Sequence, residues 1–382
     1  MTTQNGLITT YNNTVPQKRM VTDRIIMADP YDITTMLALG LDNTSKFQFT
    51  NTPGRSYEWL EDAYPVISGL INEADLSTTT NTTVITVTSA AVGDLLHVGD
   101  IIQVDSEYMY VVSESAAEVT VVRAFGAATT TSVSHATTST FYIRYNARLE
   151  GADTSTSPWT EIASNSNYST ILHKEVMVTR DEKLFPNYGV SDLVNYRIDM
   201  NMDILMEQLN RLPYYGQRAV GTSSTARSSG GFGTFITTNA TGLSSAALTR
   251  KAIDDEFQQI FAAGGKTDLV LCDAWGQRKI NDFYEGFVQT DRATNIGGIM
   301  IKTLMHPITG QLVQVVVDRH TPAGYMYLLD TRYIGYLTID PFFYEELAKD
   351  GDWTKGQTIG EYGFVCAYDK AHSILSSYST TA

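Results

Sequence analysis

Apolar residues recur at three- and four-residue steps most clearly through Val194, Ile198, Met202, Leu205, Leu209 and Leu212. Side chains at that spacing share one face of an α-helix. Ser191 suits the N-cap, Asp192 the positive end of the helix dipole, and Pro213 is expected to close the run. At about 1.5 Å per residue a helix over 191–212 is roughly 33 Å long, a rod with one apolar stripe. A second helical pattern starts near Thr249, turns Ile253, Phe257, Ile260 and Phe261 inward, and stops at Gly264, a natural C′ residue. Asp268-Leu269-Val270-Leu271-Cys272 reads as a fully buried strand, and a third helix is expected around Ala274 to Tyr284. Helix, strand and helix in succession imply a mixed α/β layer.

Elsewhere the pattern alternates. Behind a Thr-rich spacer, Thr78 to Thr83, come the runs Val84 to Val87, Ile101 to Val104, Tyr108 to Val112 and Val119 to Val122. Gly93-Asp94, Gly99-Asp100 and Phe125-Gly126 bound them as turns would, which predicts a small β-meander or barrel over about 77–145, inserted into something larger. Further strands are expected at Ile299 to Leu304, Leu312 to Val317, Tyr325 to Leu329, Gly335 to Ile339 and Gly363 to Tyr368. Ser373 to Thr381 shows no core face. Residues 1 to about 55 show little periodicity beyond the patch Met36-Leu37-Ala38-Leu39, so they are expected to form an arm that finds its core on a neighbour.

Composition narrows the chemistry. The 382 residues are 43% apolar and 18% charged, enough for a sizeable core. With 42 acidic and 27 basic side chains the formal charge is −15, which argues against an exposed basic groove for nucleic acid. No run approaches a membrane span, and the N-terminus lacks the form of a secretory signal, so a protein made in the cytoplasm is expected. Cys272 and Cys366 are the only cysteines, and His97, His135, His173, His306, His320 and His372 have no metal-ligand spacing. Gly265-Lys266-Thr267 ends like a phosphate loop, but Ile260 stands where its first Gly belongs, and the order is helix, loop, strand. Asp350, Asp352, Thr354 and Glu361 fall at calcium-loop positions, yet Lys355 occupies the glycine position. Pro186-Asn187-Tyr188-Gly189 reads as a turn that aims the long helix. No catalytic, cofactor-binding or metal residue is assigned.

The order of elements (arm, β insertion, long spine helix, α/β layer, terminal strands) carries a resemblance, together with several motifs. These are Arg55-Ser56-Tyr57-Glu58-Trp59-Leu60-Glu61-Asp62, Leu96-His97-Val98-Gly99-Asp100, Glu107 to Ser113, and Val119 to Arg123. Gly264-Gly265 with Asp268 to Leu271, Glu345 to Asp352, Gly360-Glu361-Tyr362 and Lys370-Ala371-His372 complete them. Jointly they resemble the SU10-type major capsid family of tailed bacteriophages. The resemblance implies an α+β HK97-type shell fold with an N-terminal arm (1–55) and an extended E-loop region (56–185) that includes the insertion. It also implies a P-domain (186–235) with spine helix 191–212, an A-domain (236–340), and a C-terminal return to the P-domain (341–382).

It further implies a structural protein, not an enzyme and without cofactor. Such a protein would assemble through pentamers and hexamers into an icosahedral shell that encloses double-stranded DNA without sequence-specific binding. Implied partners are neighbouring capsomers, a portal, and a scaffold or decoration protein, with no membrane. The implied location is the virion capsid, after synthesis in the bacterial host cytoplasm. A tail-tube or decoration component is the alternative that the Thr-rich β module also fits.

Overall fold

The computed structural model describes residues 32–41, 54–62, 67–72, 82–88, 93, 95–126, 134–136, 138–151, 162–185, 190, 192–284, 288–296, 299–349 and 351–381. The chain divides into two compact units, Leu60–Asn165 and the remainder. Among the described residues the first elements are helix α1 (Thr34–Leu39) and strand β1 (Ser56–Glu61), which runs across the boundary between the units and whose alternation buries Tyr57 and Trp59.

The inserted unit is an antiparallel barrel of β2 (Ser68–Leu70), β3 (Thr82–Thr86), β4 (Asp100–Val104), β5 (Glu107–Ser115), β6 (Glu118–Val122) and β7 (Thr140–Asn146), in the order β2-β7-β4-β5-β6-β3. Its edges meet. Ile71 bridges Val87, the Asn72 N–H donates to the Thr86 carbonyl (2.7 Å) and the Thr88 N–H to the Leu70 carbonyl (3.0 Å). These contacts join the ends of the two edge strands and close the sheet on itself there. Alternate residues face inward, among them Ile85, Ile102, Met109, Val121 and Phe141. The four alternating runs of the sequence are β3 to β6; β2 and β7 join strands too short or too interrupted to read from sequence.

The chain continues through β8 (Ala163–Tyr168), β9 (Thr170–Thr179), α2 (Arg180–Leu184), the spine α3 (Leu193–Tyr215), α4 (Phe232–Phe235), β10 (Ala240–Gly242), α5 (Arg250–Ala262), β11 (Leu269–Cys272) and α6 (Ala274–Phe283). It ends with β12 (Val288–Ile296), β13 (Ile299–Met305), β14 (Leu312–Val317), β15 (Met326–Leu329), β16 (Ile334–Glu346), β17 (Trp353–Cys366) and β18 (Ser373–Ser376). A seven-stranded mixed sheet runs β10-β18-β15-β11-β14-β13-β12, with β11 parallel to β14 and antiparallel to β15. On one face Val270 and Cys272 pack with Ile253, Phe257 and Ile260 of α5 and Ile280 of α6. On the other, Leu269 and Leu271 join Met36, Leu209, Tyr214, Phe232, Tyr336 and Phe364. The fully buried β11 follows from this two-sided cover. A second sheet, β16-β17-β9, is antiparallel throughout.

Several expectations change. Asp192, not Ser191, caps the spine, its carboxylate accepting from the N–H groups of Val194 (2.9 Å) and Asn195 (3.3 Å); Ser191 lies outside the described residues, as does the 186–189 turn. Pro213 sits inside the last turn instead of closing the helix. So near the end it removes one hydrogen bond, while burial of Pro213 and Tyr214 holds the turn. Only the C-terminal half of the stripe is fully buried, at Leu205 and Leu209; Val194, Ile198 and Met202 are half-buried.

Phe261 is 51% exposed, because at about 100° per residue it stands well to one side of the Ile253–Phe257–Ile260 face. The patch at Met36 and Leu39 finds its core within its own chain, not on a neighbour. The polar-looking C-terminus holds β18, buried between β10 and β15 with Ile374 and Leu375 on opposite faces.

Candidate assembly site

Strand β1 aims Tyr57 at the backbone of β17. The phenol donates to the Phe364 carbonyl (2.8 Å) and accepts from the Phe364 N–H (2.7 Å). Asn167 completes the node, donating to the same carbonyl (2.7 Å) and to Ser229 Oγ (3.0 Å) while accepting from the Gly230 N–H (2.9 Å). A Cβ on Gly363 would stand 2.6 Å from the Tyr57 ring, so this close approach needs glycine. Burial pushes the Tyr57 hydroxyl above its ordinary value, against the opposing hydrogen bonds of Ser229 and Phe364. Trp59 meets Phe235 edge-on, ring centroids 5.4 Å apart.

Two buried carboxylates organise other long-range contacts. Asp318 accepts from Thr35 Oγ1 (2.5 Å), Asn210 Nδ2 (2.7 Å) and the His320 N–H (2.7 Å), and Asn210 Oδ1 accepts from the Met36 N–H (2.8 Å). The spine, α1 and the end of β14 therefore share one polar hub. Asp330 accepts from the Lys266 N–H (2.9 Å) and from Arg332 Nη2 (2.5 Å). Burial opposes its ionisation, but the hydrogen bonds from Arg332 and Lys266 outweigh it and hold the carboxyl below its ordinary range. The Asp330 N–H donates to His372 Nδ1 (3.2 Å), which fixes the tautomer whose Nε2–H donates to the Ala367 carbonyl (3.1 Å). A Cβ on Gly265 would meet Ala371 Cα at 2.9 Å. The Gly264-Gly265 and Lys370-Ala371-His372 motifs thus touch.

In the inserted barrel, Glu107 and Arg123 pair bidentately, at 3.0 and 2.6 Å, with no exposed side-chain surface. His135 bridges Glu107 (Nε2, 2.8 Å) and Asp105 (Nδ1, 2.8 Å). The pair ties the first residue of β5 to the residue that follows β6 through two charge-assisted hydrogen bonds.

Outward, the second sheet keeps apolar side chains in the open: Ile171 and Met177 on the edge strand β9, and Phe343 on β16. Beside them Arg227 pairs with Glu361 and donates to Ser169 Oγ (2.9 Å), and Lys355 pairs with Glu175 at 3.3 Å.

The positions singled out in the sequence form no reactive constellation. Asp352 pairs with Arg180 (3.2 Å), while Thr354 and Glu361 lie along extended β17, so no loop gathers them; Asp350 is outside the described residues. Gly265 leads from α5 into β11, away from any helix N-terminus. Cys272 and Cys366 are buried free thiols, and burial pushes the Cys272 thiol up. His306 accepts from the Ile308 N–H (3.1 Å), and burial holds its pKa down. Among the described residues, no three His, Cys, Asp or Glu side chains are placed to hold a metal, and no helix is long and apolar enough to cross a membrane. Thr35, Asn210 and Asp318 were missed. The one available signal was a polar Asn210 next to Leu209 of the apolar stripe in the predicted spine, and the structure buries it.

An α3 spine over a three-stranded sheet, a mixed α/β layer and a β-rich insertion make up an HK97-like fold, the fold of solved phage capsids. The capsid of Myoviridae phage XM1 is similar over 98% of this chain and 99% of that chain, with TM-score 0.52 at 11% identity. The capsid of a native GTA particle is similar over 96% of each chain, with TM-score 0.49 at 8% identity. The SrpI encapsulin of Synechococcus elongatus covers 58% of this chain and 79% of its own, with TM-score 0.45 at 10% identity. No curated protein matches the sequence. The SU10 major capsid protein family matches residues 3–379, and the chain belongs to that family.

Proposed function

We propose that this capsid protein assembles through pentamers and hexamers into an icosahedral shell that encloses double-stranded DNA. The observation that carries the reading is the family match over residues 3–379. In this assignment the β16-β17-β9 sheet with α3 forms the P-domain, and the seven-stranded sheet, β18 included, forms the A-domain. Residues 60–165 form the decorated E-loop. Residues 1–55 are the arm, anchored at Thr35 and Met36.

Such a subunit acts through interface free energy, not turnover. Obligate interfaces bury roughly 2,000 Å² or more, and repetition by symmetry closes the particle. A charge of −15 suits a container wall, because an acidic surface does not retain DNA phosphates. Portal, scaffold or decoration proteins are the further partners, and the virion capsid, assembled in the host cytoplasm, is the location. Rate-zonal sedimentation of the expressed protein tests the proposal. Fast-sedimenting particles are expected, and a chain that stays monomeric at every concentration contradicts it.

A further inference from the structure

We propose that a cavity at the open end of the β9 face is a socket for an acidic segment of a second copy of this chain. The inference rests on the shell reading and adds a specific contact to it. The cavity, of about 540 Å³, is lined by Arg55, Ile171, Val220, Thr222, Thr225 and Arg227. Its two guanidinium groups differ. Arg227 is neutralised by Glu361 and pinned by Ser169, whereas among the described residues the exposed Arg55 side chain forms no ion pair. Among the described residues the cavity therefore presents one positive charge with no ion-pair partner, that of Arg55.

The rest of the wall is built to hold shape. Gly221 takes a left-handed backbone (φ +77°), and a Cβ there would meet the Arg227 N at 2.8 Å, so the 220–227 loop closes tightly on itself. Thr222 Oγ1 accepts from the Thr225 N–H (3.1 Å), bracing the loop from within. On the rim, Ile171 is 45% and Val220 57% exposed, apolar surface that gains from being covered.

Charge selects the occupant. Two copies that each carry −15 repel, so a contact between them needs a local site of opposite sign. Arg55 supplies it, and the acidic excess of the chain supplies carboxylates to meet it. A carboxylate flanked by apolar side chains fits the guanidinium and the Ile171–Val220 rim together. An exposed charge of this kind acts chiefly on encounter rate and register, and is screened by salt.

Three full-length proteins test the socket: wild type, Arg55→Glu and Arg55→Lys. Expected results are at least a tenfold loss of assembled particles for Arg55→Glu, near-normal assembly for Arg55→Lys, and the same thermal midpoint for all unassembled subunits. The amine introduced by Arg55→Lys also allows zero-length carbodiimide coupling in particles mixed from light and isotopically heavy copies. A link from position 55 to an Asp or Glu of the other isotopic copy is expected.

If Arg55→Glu assembles like wild type, the socket is refuted while the shell reading stands. A lowered midpoint of the unassembled Arg55→Glu subunit, or a link confined to one copy, overturns the socket by making the occupant the chain's own. Absence of any link in well-formed particles also overturns it. Failure of the wild type itself to assemble refutes the shell reading, and the socket with it.

Discussion

The Tyr57 hydroxyl holds both backbone polar groups of Phe364, donating to its carbonyl at 2.8 Å and accepting from its N–H at 2.7 Å across 307 residues of chain. One side chain thus fastens β1, where the chain leaves for its inserted unit, to the end of β17. Tyr57→Phe leaves the carbonyl to Asn167 and the N–H to Ser229 at 3.2 Å. The expected cost is therefore only about 1–2 kcal/mol, read from urea unfolding.

Alkaline stability follows from the same burial. Tyr57, Tyr214, Tyr327 and Tyr336 all have hydroxyl pKa values raised above the ordinary 10.0, chiefly by desolvation. A group whose folded value is raised contributes stability that is complete below its unfolded value and is lost as pH rises above it. Unfolding free energy should hold to about pH 10 and fall beyond it. A pH series of thermal midpoints checks this, and a flat profile to pH 12 would disagree.

At the acid end the sign reverses. The folded pKa of Asp330 is lowered, so its contribution is present above the unfolded carboxylate value and lost as pH falls through the folded one. Asp330→Asn should cost about 1–3 kcal/mol at pH 7 and progressively less below about pH 4. Parallel unfolding curves for the variant and wild type at pH 7 and pH 3 measure the difference.

Within the inserted barrel, Glu107→Gln removes the carboxylate charge that Arg123 meets bidentately with no exposed side-chain surface. The expected loss is about 3–5 kcal/mol in the barrel's stability. Hydrogen exchange on β5 and β6 should accelerate, while β11 and β15 in the other unit keep their protection.

The spine offers a sharper test of packing. Leu205 has no exposed surface, so Leu205→Asp should cost several kcal/mol, on the order of 3 or more, and abolish soluble expression. Ile204→Asp, one residue away and 36% exposed, should be tolerated. The arm gives a further test: deleting 1–45 removes Thr35 and Met36 from the Asp318 hub and should destabilise the subunit itself.

What could be read from the sequence was what local periodicity controls. The spine, α5, β11 and the four barrel runs follow from spacing, because burial on one face repeats every 3.6 or 2 residues. Pro213 was misread because the lost N–H is visible in sequence while the burial that compensates is not. β18 was hidden by its serines; Ser373 is buried only because its hydroxyl reaches Glu256 (2.5 Å) on α5. The hubs at Tyr57, Asp318 and Asp330 join residues 42 to 307 apart, and no local pattern encodes such partners. The family motifs marked their neighbourhoods without giving their chemistry.

Electron cryomicroscopy of the purified, concentrated full-length chain tests the central claim most directly. Closed particles are predicted in which this one chain occupies both fivefold and sixfold rings, each copy showing α3 across the β16-β17-β9 sheet. Open tubes, or dispersed monomers at all concentrations, would contradict it.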